Sequence, residues 1–377
     1  MRLAAVAFLV ITPLSAMAAA APDVTSAAYG TTADGDAVRV FTLTNNNGMS
    51  VKVLDYGGAI VEVRAPDRTG KLANVVLALP DLKTLEANGS VNTLIGRYAN
   101  RIKGGFTLDS KHYALPANAK GITIHGGRPG YNMRVWKASP IKSLGAAGVK
   151  LSLVSPDVDQ GFPGTLNVGV TYTLTNRNDL RLDYEATTDK PTVLTLTNHV
   201  YFNMGGNGSG TVYDQQLQVL ADGYTITDED QAPTGEIAPV AGTALDFRTL
   251  TPIGARIRSA EPQMRIARGY DHNFVLRKSS DKLPLAARLY DPRSGRLLEL
   301  RTTEPGLQIY SGNHFNGTTL NAAGSAIRQS DAIALETQHF PNSPNRPNFP
   351  STVLRPGETF RSTTNFHFST DRRSRVR

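Results

Sequence analysis

The chain of 377 residues contains no cysteine, which excludes disulfides, thiolate nucleophiles and cysteine-based metal sites. Its formal net charge is +8, of which the tail 371–377 supplies three, since four arginines there outweigh one aspartate. No basic cluster is interleaved with aromatic residues, so the sequence does not indicate a nucleic-acid partner. We expect the tail to fray after the last strand and to aid solubility or attract acidic surfaces weakly.

The first residues follow the order of a secretory signal peptide. Arg2 precedes an apolar run, Leu3 to Leu14, which is followed by Ser15-Ala16-Met17-Ala18. Small residues at positions −3 and −1 predict a signal peptide over 1–18, with cleavage possible as late as Ala21. The apolar run is short for a membrane span, and no second stretch approaches spanning length. We therefore expect an exported protein, periplasmic or secreted, without stable membrane insertion after cleavage.

After this segment, short stretches of alternating apolar and polar residues recur throughout the chain. Two of the longest, 166–174 and 180–184, flank a Thr-Asn-Arg-Asn turn. A period of two is typical of half-buried strands, and the intervening Gly, Pro, Asn and Asp indicate turns. Helical periodicity is confined to 81–88, with Asp81 as the expected N-cap. The pattern predicts an all-β fold, a large antiparallel β-sandwich forming a single domain over 22–370.

The segment 194–203 alternates leucine with threonine and then places a histidine and a tyrosine near its end. Side chains alternate across a strand, so these residues should fall on two faces. The two faces carry Thr195, Thr197, His199 and Tyr201 on one side, and Leu194, Leu196, Asn198 and Val200 on the other. A face with titratable and hydrogen-bonding side chains suits a polyhydroxylated ligand. The alternative is a half-exposed strand whose polar face only contacts solvent.

Histidine and glutamate residues offer the first candidates for acid–base chemistry. The seven histidines form no His-x-x-x-His or His-Glu-x-x-His arrangement, so no metal site is indicated. His125 precedes two glycines, which leave its ring uncrowded. Glu336 shares a predicted strand face with the small residues Ala332 and Ala334, which leave volume for a ligand. Partial burial would raise the pKa of Glu336 toward useful basicity, whereas an exposed strand glutamate is the alternative.

Two further charged residues have settings that suit a sugar. Asp271 lies between Tyr270 and His272, where rings could stack on the C–H face of a sugar while the carboxylate binds hydroxyls. A turn-forming aspartate is the alternative for this position. Arg101 offers a planar fork of donors to hydroxyl oxygens, and a surface arginine is the alternative.

These residues lie in motifs that together resemble the aldose 1-epimerases, also called galactose mutarotases. The resemblance runs from about residue 29 to 369, and the number, order and spacing of its motifs make it specific. The motifs are IGRYANRI at 95–102, HGG at 125–127, GFPG at 161–164, TNHVYFN at 197–203, PTGE at 233–236, YDHNF at 270–274, TEPG at 303–306, LETQ at 335–338 and LRPGE at 354–358.

The resemblance implies a large antiparallel β-sandwich with an active-site cleft across one sheet. It implies that Glu336 is the general base and His199 the general acid. The residues expected to contact sugar hydroxyls or the ring oxygen are Asn100, Arg101, His125, Tyr201 and Asp271. Glu304 matches a position where relatives often carry glutamine, so it is expected to line the site. A second carboxylate near Glu336 would raise the pKa of that base, but the effect of Glu304 on it stays open. Val200 replaces a common serine and should point away from the cleft.

The implied activity is the interconversion of α and β anomers of free aldohexoses, such as galactose and glucose, by ring opening and reclosure. Such an isomerase requires no cofactor and no metal, and we expect a monosaccharide as its partner and a monomer or weak dimer. The preferred sugar stays open among galactose, glucose, arabinose and xylose. The alternatives are a glycoside hydrolase with paired carboxylates, a non-catalytic sugar-binding sandwich, and an epimerase of hexose 6-phosphates.

Overall fold

The structure, a computed structural model, describes residues 21–371. The predicted signal peptide and the basic tail beyond Asp371 therefore lie outside the described residues. Strands dominate the described part, and all of its ladders between strands are antiparallel. The predicted all-β sandwich is confirmed.

Three sheets carry most of the strands. The first sheet is a meander of consecutive strands, Asp23–Thr31, Ala37–Thr44, Ser50–Leu54, Ile60–Pro66 and Leu72–Asn74. A nine-stranded sheet has the order Lys137–Ser143, Ala146–Ser155, Leu166–Thr175, Asp179–Thr188, Phe360–Thr370, Arg296–Thr302, Leu285–Tyr290, Gln216–Val219 and Thr251–Pro252. A six-stranded sheet has the order Tyr201–Phe202, Ile333–Gln338, Gly306–Tyr310, Asp271–Leu276, Ala221–Thr227 and Pro233–Pro239.

Smaller elements complete the described chain. Five two-stranded ladders pair Leu94–Ile95 with Thr197–Asn198, Arg101–Lys103 with Ile122–Ile124, Phe106–Leu108 with Lys111–Tyr113, Thr192–Val193 with Val353–Leu354, and Asn316–Leu320 with Ala326–Arg328. The α-helices are Leu82–Ala87 and Pro262–Ala267, and short 3₁₀ turns span Tyr131–Met133, Asp159–Gly161, Ile253–Ala255 and Ser343–Asn345. Neither α-helix has the length and apolarity that crossing a bilayer would need, and no other described helix does.

The helix predicted at 81–88 is confirmed as Leu82–Ala87. Asp81 is its N-cap, because its Oδ1 accepts the backbone N–H of Thr84 at 2.8 Å. Leu82 and Leu85 are the buried residues of this helix, and they pack in a hydrophobic cluster with Tyr56. The turn after the helix forms part of the rim of the cleft described below.

Alternation along the strands builds one hydrophobic core that all three sheets share. Phe41 of the meander, Leu182 and Phe366 of the nine-stranded sheet, and Ile309 and Leu335 of the six-stranded sheet belong to the same buried cluster. Fully burying an apolar side chain of this size contributes about 1.5–3 kcal/mol. The inner face of the six-stranded sheet is therefore fixed against this core, and its other face is left to form a site.

The segment 194–203 is not one continuous strand. It contains two two-residue pairings, Thr197–Asn198 and Tyr201–Phe202, and directly follows a third, Thr192–Val193. Each of the three has a different partner strand. The breaks arise because the chain crosses from one ladder to the next, which local alternation does not reveal. The predicted separation of faces survives in part: Val200 is buried in the shared core, while His199 and Tyr201 line a cavity.

Candidate active site

A cleft on the outer face of the six-stranded sheet brings together most of the predicted site residues. The cavity has a volume of about 280 Å³, near the lower end of the usual size of ligand pockets. Its lining consists of Asn88, Ser90, Val91, Asn100, Arg101, Ile124, His125, His199, Tyr201, Asp271, Tyr310, His314, Phe315 and Glu336. Seven of the eight residues predicted to act or bind in one site are thus found around one cavity.

Strand register positions the floor of this cavity. Gln308 lies directly opposite Glu336, and Tyr310 lies between Ala334 and Asp271 on the two neighbouring strands. Residues directly opposite each other share a face, so these side chains point away from the core. Ala334 also lies opposite Tyr201, and the two pack together in a second buried cluster beside the cleft.

His199 and Glu336 face each other across a short gap, although 137 positions separate them in the chain. The Nε2 atom of His199 lies 3.4 Å from Oε1 of Glu336, and both side chains are buried. Backbone bonds with the segment before the Leu94–Ile95 strand hold the histidine, whose N–H donates to the Thr93 carbonyl at 2.8 Å while its carbonyl accepts from Asn92 at 3.0 Å. Nδ1 of His199 and Oε2 of Glu336 have no hydrogen-bond partner within residues 21–371, so both atoms are available to a ligand or water.

Burial determines the protonation of this pair. It raises the pKa of Glu336 well above its usual value, and the nearby Asp271 carboxylate raises it further. Burial also lowers the pKa of His199 to about 4. Between these two pKa values the pair holds a single proton, which lies on Glu336. Moving that proton to His199 leaves the charge of the pair unchanged, so the site can present a base and an acid together.

Arg101 and Asp271 form the second charged group of the cleft. Nη2 of Arg101 donates to Oδ2 of Asp271 at 3.1 Å, and the Nε2 of Gln308 donates to Oδ1 of the same carboxylate at 2.6 Å. Arg101 also donates to Oδ1 of Asn100 at 3.1 Å and to Oε1 of Gln231 at 2.6 Å. These bonds fix the carboxylate, the guanidinium and an amide in orientations suited to reading hydroxyl groups.

His125 is held in a fixed tautomer by the backbone beside it. The N–H of Asn100 donates to Nδ1 of His125 at 3.3 Å, and the N–H of His125 donates to the Asn100 carbonyl at 2.8 Å. Burial, followed by the proximity of His199 and Arg101, lowers the pKa of His125. The neutral ring therefore carries its proton on Nε2, which makes it a hydrogen-bond donor toward the cleft.

Aromatic rings enclose the acid–base pair. The ring of Tyr201 stacks on His199 with a centroid distance of 4.9 Å, and Phe315 lies 5.3 Å from Tyr201. The hydroxyl of Tyr310 is 2.8 Å from Nδ1 of His314 at the rim. Burial raises the pKa of Tyr201 and of Tyr310, so both phenols stay protonated near neutral pH. The enclosure supplies apolar surface for the C–H bonds of a sugar and hydroxyls for its oxygens.

Glu304 is the exception among the predicted site residues. It lies in the turn before the Gly306–Tyr310 strand, and its Oε2 is 2.6 Å from Nδ1 of His339 rather than in the cleft lining. The residue opposite Glu336 is Gln308, four positions later. The neighbouring carboxylate that raises the pKa of Glu336 is that of Asp271.

Several cleft residues were missed by the sequence analysis. Gln308 and Tyr310 alternate with the core residues Leu307 and Ile309, so strand parity alone would have placed them on the outer face. Phe315 and the turn residues 88–91 carry no local signal of this kind, because they reach the cleft only through tertiary folding.

Cavity size alone would not identify this site. A larger groove of about 810 Å³ lies on the outer face of the nine-stranded sheet. Its lining contains no histidine, and its Lys150 and Glu185 are paired with each other at 2.7 Å. Across residues 21–371, no group of three or more histidine, aspartate or glutamate side chains is arranged as a metal site.

Comparisons with known proteins agree with this geometry. The aldose 1-epimerase family model matches residues 39–367. The galactose mutarotase of Rattus norvegicus is 40% identical over 337 residues, which are 89% of this chain and 95% of that protein. The aldose 1-epimerase of Escherichia coli K12 is 36% identical over 339 residues, covering 89% and 96%.

A solved structure extends the agreement to the fold. The galactose 1-epimerase from Lactobacillus acidophilus NCFM superposes with a TM-score of 0.83 at 32% identity, and the match covers 93% of this chain and 100% of that one. The family match, the shared fold and the sequence identity all indicate an aldose 1-epimerase. They do not favour the glycoside hydrolase or the non-catalytic sugar-binding sandwich. The chain belongs to the aldose 1-epimerase family and is an isomerase.

Proposed function

We propose that this enzyme interconverts the α and β anomers of free aldohexoses such as galactose and glucose, with Glu336 and His199 as the acid–base pair. The observation that carries the proposal is the 3.4 Å approach of Nε2 of His199 to Oε1 of Glu336 in a cavity of about 280 Å³. The galactose mutarotase and galactose 1-epimerase names of its relatives support galactose as a substrate.

The chemistry requires two proton transfers in each direction. In the proposed cycle, ionised Glu336 takes the proton of the C1 hydroxyl while protonated His199 delivers a proton to the ring oxygen. The C1–O5 bond breaks, the C1=O double bond forms, and the open aldehyde rotates about C1–C2. Glu336 then returns its proton to O1 and His199 recovers the proton from O5 as the ring closes on the other face.

The remaining cleft residues are proposed to hold the sugar. Arg101 and Asp271 offer a donor fork and an acceptor to hydroxyls, Asn100 and His125 add polar contacts, and Tyr201 provides a ring face. Because Glu304 is turned toward His339, we do not include it among the substrate-binding residues.

The cleft lining favours a neutral sugar over a hexose 6-phosphate. Arg101 is the only lysine or arginine among the described residues that line this cavity, and its guanidinium is already engaged by Asp271 and Gln231. A phosphate bound there would face the Asp271 carboxylate without a cation of its own.

Polarimetry with pure α-galactose at low buffer concentration tests the acid–base assignment. Each general acid or base contributes about 10²–10⁴-fold to rate. We expect Glu336→Gln and His199→Asn each to lower kcat by that range while the circular dichroism spectrum and Tm stay close to those of the unaltered enzyme. Near-normal rates in both variants would refute the assignment.

We further propose that the enzyme is exported after removal of residues 1–18. The proposal is supported by Arg2, the apolar run and the small residues before Ala18. Intact-mass measurement of the protein recovered from cell fractions would locate the new N-terminus. Recovery of an uncleaved chain only in the cytosol would contradict export.

A further inference from the structure

A patch of buried amides lies on the outer face of the six-stranded sheet, next to Glu336. Its members are Asn273, Gln308 and Gln338, and each is at most 2% exposed. Gln308 lies directly opposite Glu336 on one neighbouring strand and directly opposite Asn273 on the other. Gln338 follows Glu336 by two positions on one strand, so its side chain lies on the same face. The amide patch is therefore continuous with the floor of the cleft.

Most polar atoms of the amide patch have no hydrogen-bond partner among residues 21–371. Both polar atoms of Asn273 and both of Gln338 lack a partner, and so does Oε1 of Gln308. Buried polar atoms are normally paired, and an unpaired one costs the fold the full desolvation of that group. Five such atoms side by side weaken the fold. Proteins tolerate such costs chiefly at functional sites, which indicates that the patch serves the reaction.

The remaining polar atom connects the patch to the cleft. Nε2 of Gln308 donates to Oδ1 of Asp271 at 2.6 Å, and Asp271 lines the cavity. The same amide keeps Oε1 as an unpaired acceptor, and the directly opposite Asn273 keeps Nδ2 as an unpaired donor. The β-carbons of directly opposite residues are about 4.5–5.5 Å apart. A donor and an acceptor that match each other thus lie side by side.

A glycine lets Asn273 reach toward Gln338. Gly306 lies directly opposite Gln338, and a β-carbon at Gly306 would lie 2.4 Å from Oδ1 of Asn273. The carboxamide oxygen of Asn273 therefore occupies the space that a side chain at Gly306 would fill. This oxygen is an unpaired acceptor, and Nε2 of Gln338 is an unpaired donor. Donors and acceptors thus match at each step from Gln338 to Gln308.

Hydrogen bonds around an active site are often long before the substrate binds and tighten in the complex. We propose that Asn273 and Gln338 are positioning residues for Asp271. When a sugar binds, Gln338 donates to Asn273 and Asn273 donates to Gln308. Gln308 keeps its bond to Asp271, and because bonds in series polarise one another, this amide relay holds the carboxylate in one orientation toward the sugar. The inference rests on the proposed role of Asp271 in sugar binding.

Apolar variants of similar size test the amide relay with galactose. Asn273→Leu and Gln338→Met should each raise KM about three- to tenfold, as expected for one lost hydrogen bond, and change kcat less than about twofold. Each variant removes unpaired buried atoms, so Tm without sugar should not fall. The rise of Tm that galactose induces should become smaller. The double variant should lose no more than Asn273→Leu alone, because Gln338 acts only through Asn273.

Gln215→Met is the matched control. Gln215 is also buried, but both of its polar atoms have partners. Its Nε2 donates to Oδ1 of Asn203 at 2.7 Å, and its Oε1 accepts the backbone N–H of Met204 at 3.1 Å. Breaking these bonds should lower Tm and leave KM for galactose unaltered.

The outcomes separate the amide relay from the proposed function. An unchanged KM in Asn273→Leu and Gln338→Met, or a fall of Tm at unchanged KM as in the control, would overturn the relay and leave the proposed function standing. A double variant whose loss equals the product of the single losses would also overturn it. Gln338→Met decides alone if Asn273→Leu does not fold.

Failure of the unaltered enzyme to mutarotate galactose or glucose would instead defeat the proposed function. The rise of Tm with galactose would then decide the relay without any activity measurement. Equal rises in the unaltered enzyme and in both single variants would overturn the relay, and smaller rises in the variants would support it.

Discussion

At the scale of single residues, the important property of His199 and Glu336 is that burial disfavours the charged form of each. A separate imidazolium and carboxylate would each be costly in this setting, but one proton shared by the two keeps the pair neutral overall. The 3.4 Å separation allows that proton to change sides with little movement. The apparent pKa values measured in solution belong to the pair rather than to either residue.

This arrangement predicts a bell-shaped pH dependence of kcat/KM. Activity should fall as the pH drops through about 4, because the pair then takes up a second proton, since the pKa of His199 is lowered to about 4. It should fall again as the pH rises through the raised pKa of Glu336, because the pair then loses its only proton. Polarimetric rates measured across the pH range test this. In His199→Asn the limb near pH 4 should be replaced by a residual activity that rises with pH through the raised pKa of Glu336, because only ionised Glu336 can then act as the base. An acidic limb near 6.5 would mean that His199 titrates like an exposed imidazole.

Glu304 gives a second test at this scale. Because its carboxylate pairs with His339 outside the cleft lining, Glu304→Gln should weaken the fold more than the chemistry. We expect the free energy of unfolding to fall by about 1–3 kcal/mol, the cost of disrupting a buried charged hydrogen bond, while kcat changes less than about threefold. Urea unfolding and polarimetry measure the two effects. A loss of kcat comparable to that of Glu336→Gln, at unchanged stability, would show that Glu304 takes part in the reaction or in substrate binding.

At the scale of secondary-structure elements, one strand serves the core and the site at once. In the strand Ile333–Gln338, Ile333 and Leu335 belong to the shared core, whereas Ala334 and Glu336 face outward. The same parity operates on the neighbouring strand, which presents Tyr310 to the cleft and places Gln308 where it bonds to the cleft residue Asp271. Substitutions on the outer face should therefore change substrate binding, and those on the inner face should change stability.

Ala334→Leu tests this division. Ala334 is fully buried and packs with Tyr201, so the larger side chain would displace that ring toward the cleft. We expect KM for galactose to rise at least about tenfold and the free energy of unfolding to fall by about 1–3 kcal/mol. Ala287→Leu is the matched control, since Ala287 is a fully buried strand residue of the nine-stranded sheet. It should lower the free energy of unfolding by about 1–3 kcal/mol and leave KM unaltered. Equal changes of KM in both variants would contradict the division.

Local alternation predicted many strands correctly but could not predict their pairing. The segments 166–174 and 180–184 lie in strands joined by the expected turn, because a hairpin is encoded by neighbouring residues. The breaks in 194–203 depend on three distant partner strands, which no local pattern specifies. The same limit explains Glu304, whose motif was placed in the site although the position opposite Glu336 is occupied by Gln308.

At the scale of the whole molecule, the enzyme buries several ionisable groups whose pKa values shift in opposite directions. Burial lowers the pKa of His199 and of His272 to about 4 and lowers that of His125 as well. Burial raises the pKa of Glu336. His339 is also buried, which alone would lower its pKa, but its pairing with Glu304 raises it. The balance of these groups sets how global stability depends on pH.

Below pH 6.5, the three neutral histidines dominate. The unfolded chain binds protons at these positions near pH 6.5, whereas in the folded chain His199 and His272 resist them until about pH 4 and His125 resists them well below pH 6.5. Folding is therefore disfavoured as the pH falls through this window. Glu336 acts in the opposite direction, because the folded chain keeps a proton that the unfolded chain loses above about 4.5. On balance the unfolded chain binds about two protons more than the folded chain. Each of these protons lowers the free energy of unfolding by about 1.4 kcal/mol for every unit by which the pH falls.

Above pH 6.5, the direction reverses. A histidine whose folded pKa is raised stabilises the fold below its unfolded pKa, and that contribution disappears as the pH rises through the raised value. His339 and His367 both have raised pKa values, the latter through its hydrogen bond with Asp179. We therefore expect the free energy of unfolding to be greatest near pH 6.5 and lower at both 5.0 and 8.5, as measured by urea unfolding. Glu304→Gln should flatten the decline toward pH 8.5, and a steady rise in stability up to pH 8.5 would show that these paired histidines do not control it.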